Sequence, residues 1–227
     1  WLKWHKKMGW CLCFNNNNHG DISMTVTVFG NGTVTGISAG GLPDGCVQSA
    51  DIASGVLPAG ITQSATLATT SGASVDFTSI PAGTVAIDVI FSKLSLTIGG
   101  NLIMQLGDAG GIETSGYLDS CVIHSSGSGQ ATQDNTAGIQ LSHSNIAGAT
   151  SSHPGIVYLR LVNPATHTWI ATGQILNLLS GALNNYSIQT TTAFKSLSAA
   201  LTTIRLTNTN TGGGCVFDEG EASIQYH

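Results

Sequence analysis

Three carboxylates, Asp108, Glu113 and Asp119, lie around the glycine-bounded stretch Gly107–Gly116. Two carboxyl groups held at a fixed separation are what glycoside hydrolysis requires, one acting as acid and the other as base or nucleophile. The same stretch also reads as a tight polar loop in which an Asp caps its own backbone, and that reading takes precedence. Asp218, Glu219 and Glu221 read as the solvated end of a hairpin. Serine is abundant and seven histidines are present, so a Ser/His/Asp trio can be assembled by chance. No Gly-x-Ser-x-Gly elbow sits between a strand and a helix, the context that aims the nucleophile. Cys11-x-Cys13 lacks the two-residue gap and the second pair of a zinc knuckle, and His124, His143, His153 and His167 are scattered over loops. Gly110-Gly111 and Gly212-Gly213-Gly214 lack the lysine and helix start of a phosphate loop. No catalytic residue, metal or cofactor is expected.

Binding is the better prospect. Trp169, Tyr117, Tyr158 and Tyr186 stand among hydroxyl and amide side chains, a combination suited to neutral sugar hydroxyls, although such aromatics more often fill a core. The candidate ligand or surface contacts are Tyr117, Asp108, Glu113 and Trp169.

The elements that would position these residues are strands. Val85, Ile87, Val89 and Phe91 alternate with more polar residues, as do Leu94, Leu96 and Ile98, then Leu102, Met104 and Leu106. Val157, Leu159 and Leu161 face Trp169 and Ala171 across Asn163-Pro164-Ala165-Thr166, a hairpin pattern. Ile204 and Leu206, and finally Ala222, Ile224 and Tyr226, repeat the period of two. Alternation places one face of each strand in a core and the other in water. The stretches 171–183 and 194–201 are too short, uncapped and Ser/Thr/Asn-rich for helices, and 125–152 reads as exposed loops around one strand at 138–142. Repeated strands between Gly/Ser/Asn turns predict an all-β chain: a single antiparallel β-sandwich, jelly-roll-like, over 66–227.

Residues 24–65 differ. Short apolar pieces separated by Gly30-Asn31-Gly32, Gly40-Gly41 and Leu42-Pro43-Asp44-Gly45 cannot build a core of their own. They read as an extended docking arm laid on a partner, with Leu42, Pro43, Val47, Ile52 and Leu57 as its contacts. Residues 1–23 differ again: Trp1, Trp4 and Trp10 with Lys3, Lys6 and Lys7 make an atypical N-terminal extension. It reads either as an upstream in-frame addition before Met24 or as an amphipathic docking peptide, and intact mass separates the two.

Only 8% of the 227 residues are charged, against about a quarter in an average globular chain. From Met24 onward four basic residues face eleven acidic ones, a formal −7. A basic nucleic-acid surface is thereby excluded as the default, and no apolar run approaches the ~20 residues that cross a bilayer. The five cysteines (Cys11, Cys13, Cys46, Cys121, Cys215) are odd in number and irregularly spaced, so no disulfide framework is read and free thiols are expected.

Certain runs resemble a module of tailed-bacteriophage virion proteins, of tail-fibre or structural type. They are Phe77–Thr84, Ile87–Ser95, Leu102–Asp108 and Gly111–Tyr117, with the ending Ile204-Arg205-Leu206-Thr207, Phe217-Asp218-Glu219-Gly220 and Ala222–Tyr226. The arm Leu42–Ala53 is similar to the N-terminal connector of many phage fibres. The resemblance spans 24–226 and is strongest over 75–117; Thr84–Ala86 lacks the basic residue that members carry there. It implies a non-enzymatic virion protein assembled in the host cytoplasm as a homotrimer, docked by its arm on other tail or capsid proteins, with the sandwich outward. The alternatives are a capsid decoration protein (a cement protein or head fibre), a free carbohydrate-binding module, and a depolymerase built on Asp108, Glu113 and Asp119. A host-surface glycan is the expected ligand of an outward sandwich; neither nucleic acid nor membrane insertion is implied.

Overall fold

The computed structural model describes residues 27–28, 34–35, 61–125, 129–142, 151–179, 186–210 and 214–226. The chain divides into two compact units, Trp1–Leu57 and Pro58–His227. In the first, β1 (Thr27–Val28) pairs antiparallel with β2 (Val34–Thr35); the turn expected at Gly30-Asn31-Gly32 lies outside the described residues. The predicted arm contacts Leu42, Pro43, Val47, Ile52 and Leu57, and the extension 1–23, lie outside the described residues.

The second unit is all strand and turn in its described residues, which matches the expected class. Its strands are β3 (Thr62–Gln63), β4 (Leu67–Ala68), β5 (Ser74–Phe77), β6 (Ala86–Leu96), β7 (Leu102–Asp108), β8 (Gly111–Ile112), β9 (Leu118–Ser125), β10 (Gly129–Asn135), β11 (Ile139–Gln140), β12 (Ser151–Asn163), β13 (Thr168–Leu179), β14 (Tyr186–Ser196), β15 (Thr203–Asn208) and β16 (Phe217–Tyr226). The body starts earlier than residue 66, because β3 already pairs with β16.

Two antiparallel sheets pack face to face. Numbering β4, β5, β6, β7, β11, β12, β15 and β16 from one to eight, the large sheet contains the order 1-8-3-6 and the small sheet 2-7-4-5. Apart from the fourth and fifth, which pair within the small sheet, successive strands cross between sheets, the arrangement of a jelly roll. Two insertions enlarge the large sheet. β9–β10 follows β7, and β13–β14 follows β12; they add on in the order β12-β13-β14-β9-β10. We refer to these four added strands as the wing. Its inner face is lined by β11.

The core lies between the sheets. Ile87, Val89, Leu94 and Leu96 of β6 meet Leu102, Met104 and Leu106 of β7 and Ile204 and Leu206 of β15. The hairpin read at Asn163–Thr166 is present, with Leu159 opposite Ala171 and Leu161 opposite Trp169. Of the stretches rejected as helices, 171–179 lies in β13 and 194–196 ends β14, followed by a bend within 197–201; 180–183 lie outside the described residues. The strand expected within 138–142 is present as Ile139–Gln140 and is buried, whereas 129–135, expected as exposed loop, is strand β10 although it is almost wholly polar. An edge strand needs hydrogen bonds to one neighbour and no apolar face, so its composition resembles a loop.

The alternation of β6 changes phase between Phe91 and Leu94, because three positions rather than two separate these inward residues. The structure resolves the phase change as a bulge. Lys93 takes φ 49°, and the pairing of β16 slips on either side of Glu219. Gly220, at φ 97°, fits against the carbonyls of Ser92 and Lys93. A side chain there would overlap the Ser92 oxygen in a backbone conformation that L residues rarely adopt. Gly220→Ala is expected to cost about 2 kcal/mol or more, read as a lowered denaturation midpoint with an unchanged m-value.

Candidate functional site

The stretch that opened the chemical search, 107–117, closes around itself. Asp108 ends β7 and is 4% exposed. Its Oδ1 accepts from the Gly110 N–H at 2.8 Å; its Oδ2 accepts from the Ser198 N–H (2.9 Å), the Ser198 hydroxyl (2.7 Å) and the Ala199 N–H (2.9 Å). The Ser198 hydroxyl foremost, against the opposing effect of burial, holds this carboxyl below its ordinary range. An acid whose charge is satisfied four times is a clamp joining two loops, and a poor proton donor.

Tyr117 is fully buried. Its hydroxyl accepts from the Leu106 N–H at 2.7 Å and donates to the Glu113 carbonyl at 3.0 Å. Burial pushes the phenol up, so it stays protonated. The Lys195 ammonium lies 5.2 Å from the Tyr117 ring centre, bonds Glu113 Oε2 at 3.2 Å and donates to the Ser115 carbonyl at 2.9 Å. Lys195 occupies an inward position of β14, between Ala193 and Leu197, and is nearly covered.

Asp119 belongs to a different cluster, on the inner face of the wing. One carboxylate oxygen accepts from the Gln140 N–H (3.2 Å) and the Thr191 hydroxyl (3.0 Å); the other is buried without a partner, as is Gln140 Oε1. Burial pushes this carboxyl up to about 7. A neutral carboxyl contributes a hydroxyl donor to a cluster that otherwise holds two acceptors lacking one. Cys121, beside it, is pushed up to about 12 by burial. It and Cys215 are both free and buried, as expected for thiols without a framework.

Three of the four expected contact residues are therefore off the surface: Asp108, Tyr117 and Trp169. Trp169 is 2% exposed, its indole N–H is buried without a partner, and its ring helps line a cavity of about 150 Å³ with Pro81, Pro164, His167 and Leu201. Only Glu113 remains partly open, and Lys195 already holds it. The carboxylates proposed for hydrolysis have separate partners: Ser198 and Ala199, then Lys195, then Thr191 and Gln140. Among the described residues no group of three or more His, Cys, Asp or Glu comes together.

Two groups escaped the sequence reading. Lys195 gave no signal beyond a charge at an alternating inward position. His153, read as a loop residue, is fully buried on β12. Its Nδ1 lies 3.0 Å from the Leu94 carbonyl. That oxygen can only accept, so Nδ1 carries the proton and the ring is neutral; burial lowers its pKa to about 4.

Compared with family models, with curated proteins and with solved structures, the chain matches none. Its chemistry is read from the geometry alone, and that geometry ties loops together.

Removing the clamp in Asp108→Ala leaves four donors without their acceptor and is expected to destabilise by about 3 kcal/mol, with Asp108→Asn intermediate, measured by urea unfolding. A second prediction concerns pH. Folded Asp119 keeps its proton to about pH 7, whereas an unfolded Asp ionises near ~3.9; stability from this group is full in acid and lost as pH rises to 7. Folded His153 stays neutral down to about pH 4, whereas an unfolded His is protonated below ~6.5; stability from it is full above that and lost as pH falls to 4. The two slopes oppose each other. Asp119→Asn is expected to raise Tm by several degrees at pH 8, to leave it unchanged near pH 4, and to expose a Tm that climbs between them. A parallel pH dependence of variant and wild type removes this account.

Proposed function

We propose that this protein is a non-enzymatic structural component of a tailed-phage particle, of fibre or spike type, with the jelly roll directed outward. The observation that carries the proposal is the commitment of the ionic side chains around 107–119 to holding loops and strands together. Asp108, Glu113 and Lys195 bind their neighbours, and Asp119 sits on the inner face of the wing with one oxygen sealed from solvent. What the fold presents outward on its wing is instead wide and almost uncharged. The resemblance over 24–226 supplies the class, and a sandwich with little surface charge suits an exposed particle component. A glycan ligand, where one binds, meets hydroxyl and amide groups on that outer surface and not Tyr117 or Trp169, which are buried.

Gold-labelled antibody against the purified chain, applied to intact phage, is expected to mark a fixed place on the tail. Labelling spread over the whole head, at a copy number matching the shell subunits, transfers the protein to the decoration class. A chain missing from purified particles, or one that shortens capsular polysaccharide on incubation, refutes the proposal.

A further inference from the structure

The end strand of a sheet has a neighbour on one side only, and its other backbone groups need partners elsewhere. In the small sheet β11 is such an end. It pairs with β7 alone, Ile139 opposite Met104 and Gln140 opposite Ile103. Beside that short ladder the Leu141 N–H donates to the Leu102 carbonyl at 2.8 Å, and the Leu102 N–H donates to the Ser142 hydroxyl at 2.7 Å. The polar link from β11 to the wing runs through Gln140. Its N–H donates to Asp119 of β9 at 3.2 Å, and its side-chain amide donates to Gln133 of β10 at 2.9 Å. A carboxyl group thus stands where a further strand would otherwise supply an acceptor.

Hydrogen-bonding capacity decides the state of that carboxyl. One oxygen of Asp119 accepts from Gln140 and Thr191, while Asp119 Oδ2 and Gln140 Oε1 are both buried without a donor. An ionised carboxylate can only accept, so it leaves both atoms bare, one of them charged, out of reach of water. A protonated carboxyl brings the missing donor. The surrounding elements do not favour the anion. Asp134 of β10 adds a like charge, and Cys121 on the same face of β9 stays a neutral thiol. Lys195 of β14, two residues beyond Ala193, which faces Asp119, is already held by Glu113 and the Ser115 carbonyl. Within β11 itself, Ile139–Gln140, there is no ionisable side chain.

We propose that β11 is a proton-operated latch: with Asp119 protonated it lies closed on the wing, and loss of that proton releases it locally while the two sheets stay folded. Local release is available because β11 is two residues long, ends its sheet and meets the wing's polar groups through a single residue. The window follows from linkage. Once released, Asp119 meets water and ionises near ~3.9; closed, it keeps its proton to about pH 7. Closure is therefore full in acid, weakens about tenfold per pH unit between those values, and levels off above them, where both states are ionised. The latch does not depend on where the protein works, so it stands or falls separately from the phage reading.

The test is amide hydrogen exchange of the full chain by NMR from about pH 4 to about pH 8, expressed as protection relative to the intrinsic rate. Protection of the Gln140 and Leu141 amides is expected to fall about tenfold per unit up to pH 7 and then to level off. Val89 and Leu206, in the core strands of the two sheets, exchange by unfolding of the whole domain. Their protection is expected to stay nearly level up to about pH 6.5, because the His153 slope offsets that of Asp119. Asp119→Asn, which cannot ionise, is expected to flatten the Gln140 and Leu141 profile. Should that variant fail to fold, Thr191→Val removes a donor to the carboxylate and is expected to carry the break in the profile above pH 7. A level wild-type profile at Gln140 and Leu141 overturns the latch. So does a slope that persists in folded Asp119→Asn, a break unmoved in Thr191→Val, or a fall in step with Val89 and Leu206.

Discussion

The jelly roll depends on a bulge shared by three neighbouring strands. At Ser92–Lys93 the central strand β6 gains a residue, and on either side the pairing slips, at Glu219–Gly220 in β16 and at Pro154 in β12. Without that extra residue a strict period of two would send either Ile87, Val89 and Phe91, or Leu94 and Leu96, away from the core. The bulge keeps both groups inside. It also turns carbonyl groups of β6 away from the regular ladder. The Leu94 oxygen is met by the His153 ring, and the Ser92 and Lys93 oxygens face a residue that must lack a side chain. A buried imidazole and a glycine are thus requirements of one register shift.

Scarcity of charge shapes the rest. A chain with few ionisable residues would be expected to leave them on the surface, where solvation is free of penalty. Instead several are interior struts. Asp108 gathers the end of β7 and the loop after β14, Lys195 ties β14 to the 113–115 turn, and at a partly exposed site Arg205 of β15 grips Asp76 of β5 with two hydrogen bonds of 2.8 and 2.7 Å. Hydroxyl and amide side chains are left to make the exterior. The molecule therefore resembles a scaffold with a quiet surface more than a vessel for a reaction.

The sequence pattern carried much of this. The strand-rich class, the hairpin across Asn163–Thr166 and even the phase break between Phe91 and Leu94 are local signals, written in alternation. The arrangement of β9 beside β14 is not, because Asp119 and Thr191 meet only after the chain has made several crossings. For the same reason the loop-clamping role of Asp108 was legible as a type of interaction, while its partner Ser198 was not. Tyr117 and Trp169 have the composition of contact residues, and only the packing around them shows that one staples a turn and the other walls a cavity. The polar strand β10 was missed because an edge needs no apolar signature.

The order in which the wing is threaded has a consequence for how the protein is made. On a ribosome β9 and β10 emerge long before β14, the strand that joins them to the rest of the sheet, so that pair must wait in water with an open flank. The composition of β10, Gly-Gln-Ala-Thr-Gln-Asp-Asn, suits such an interval: it offers hydrogen bonds but little that is sticky, and its Asp discourages another chain from pairing there. The apolar Leu118–Phe194–Ile170 row, by contrast, is assembled only when β14 joins β9 and β13, so until that late step its three side chains lie apart on strands that have not yet met.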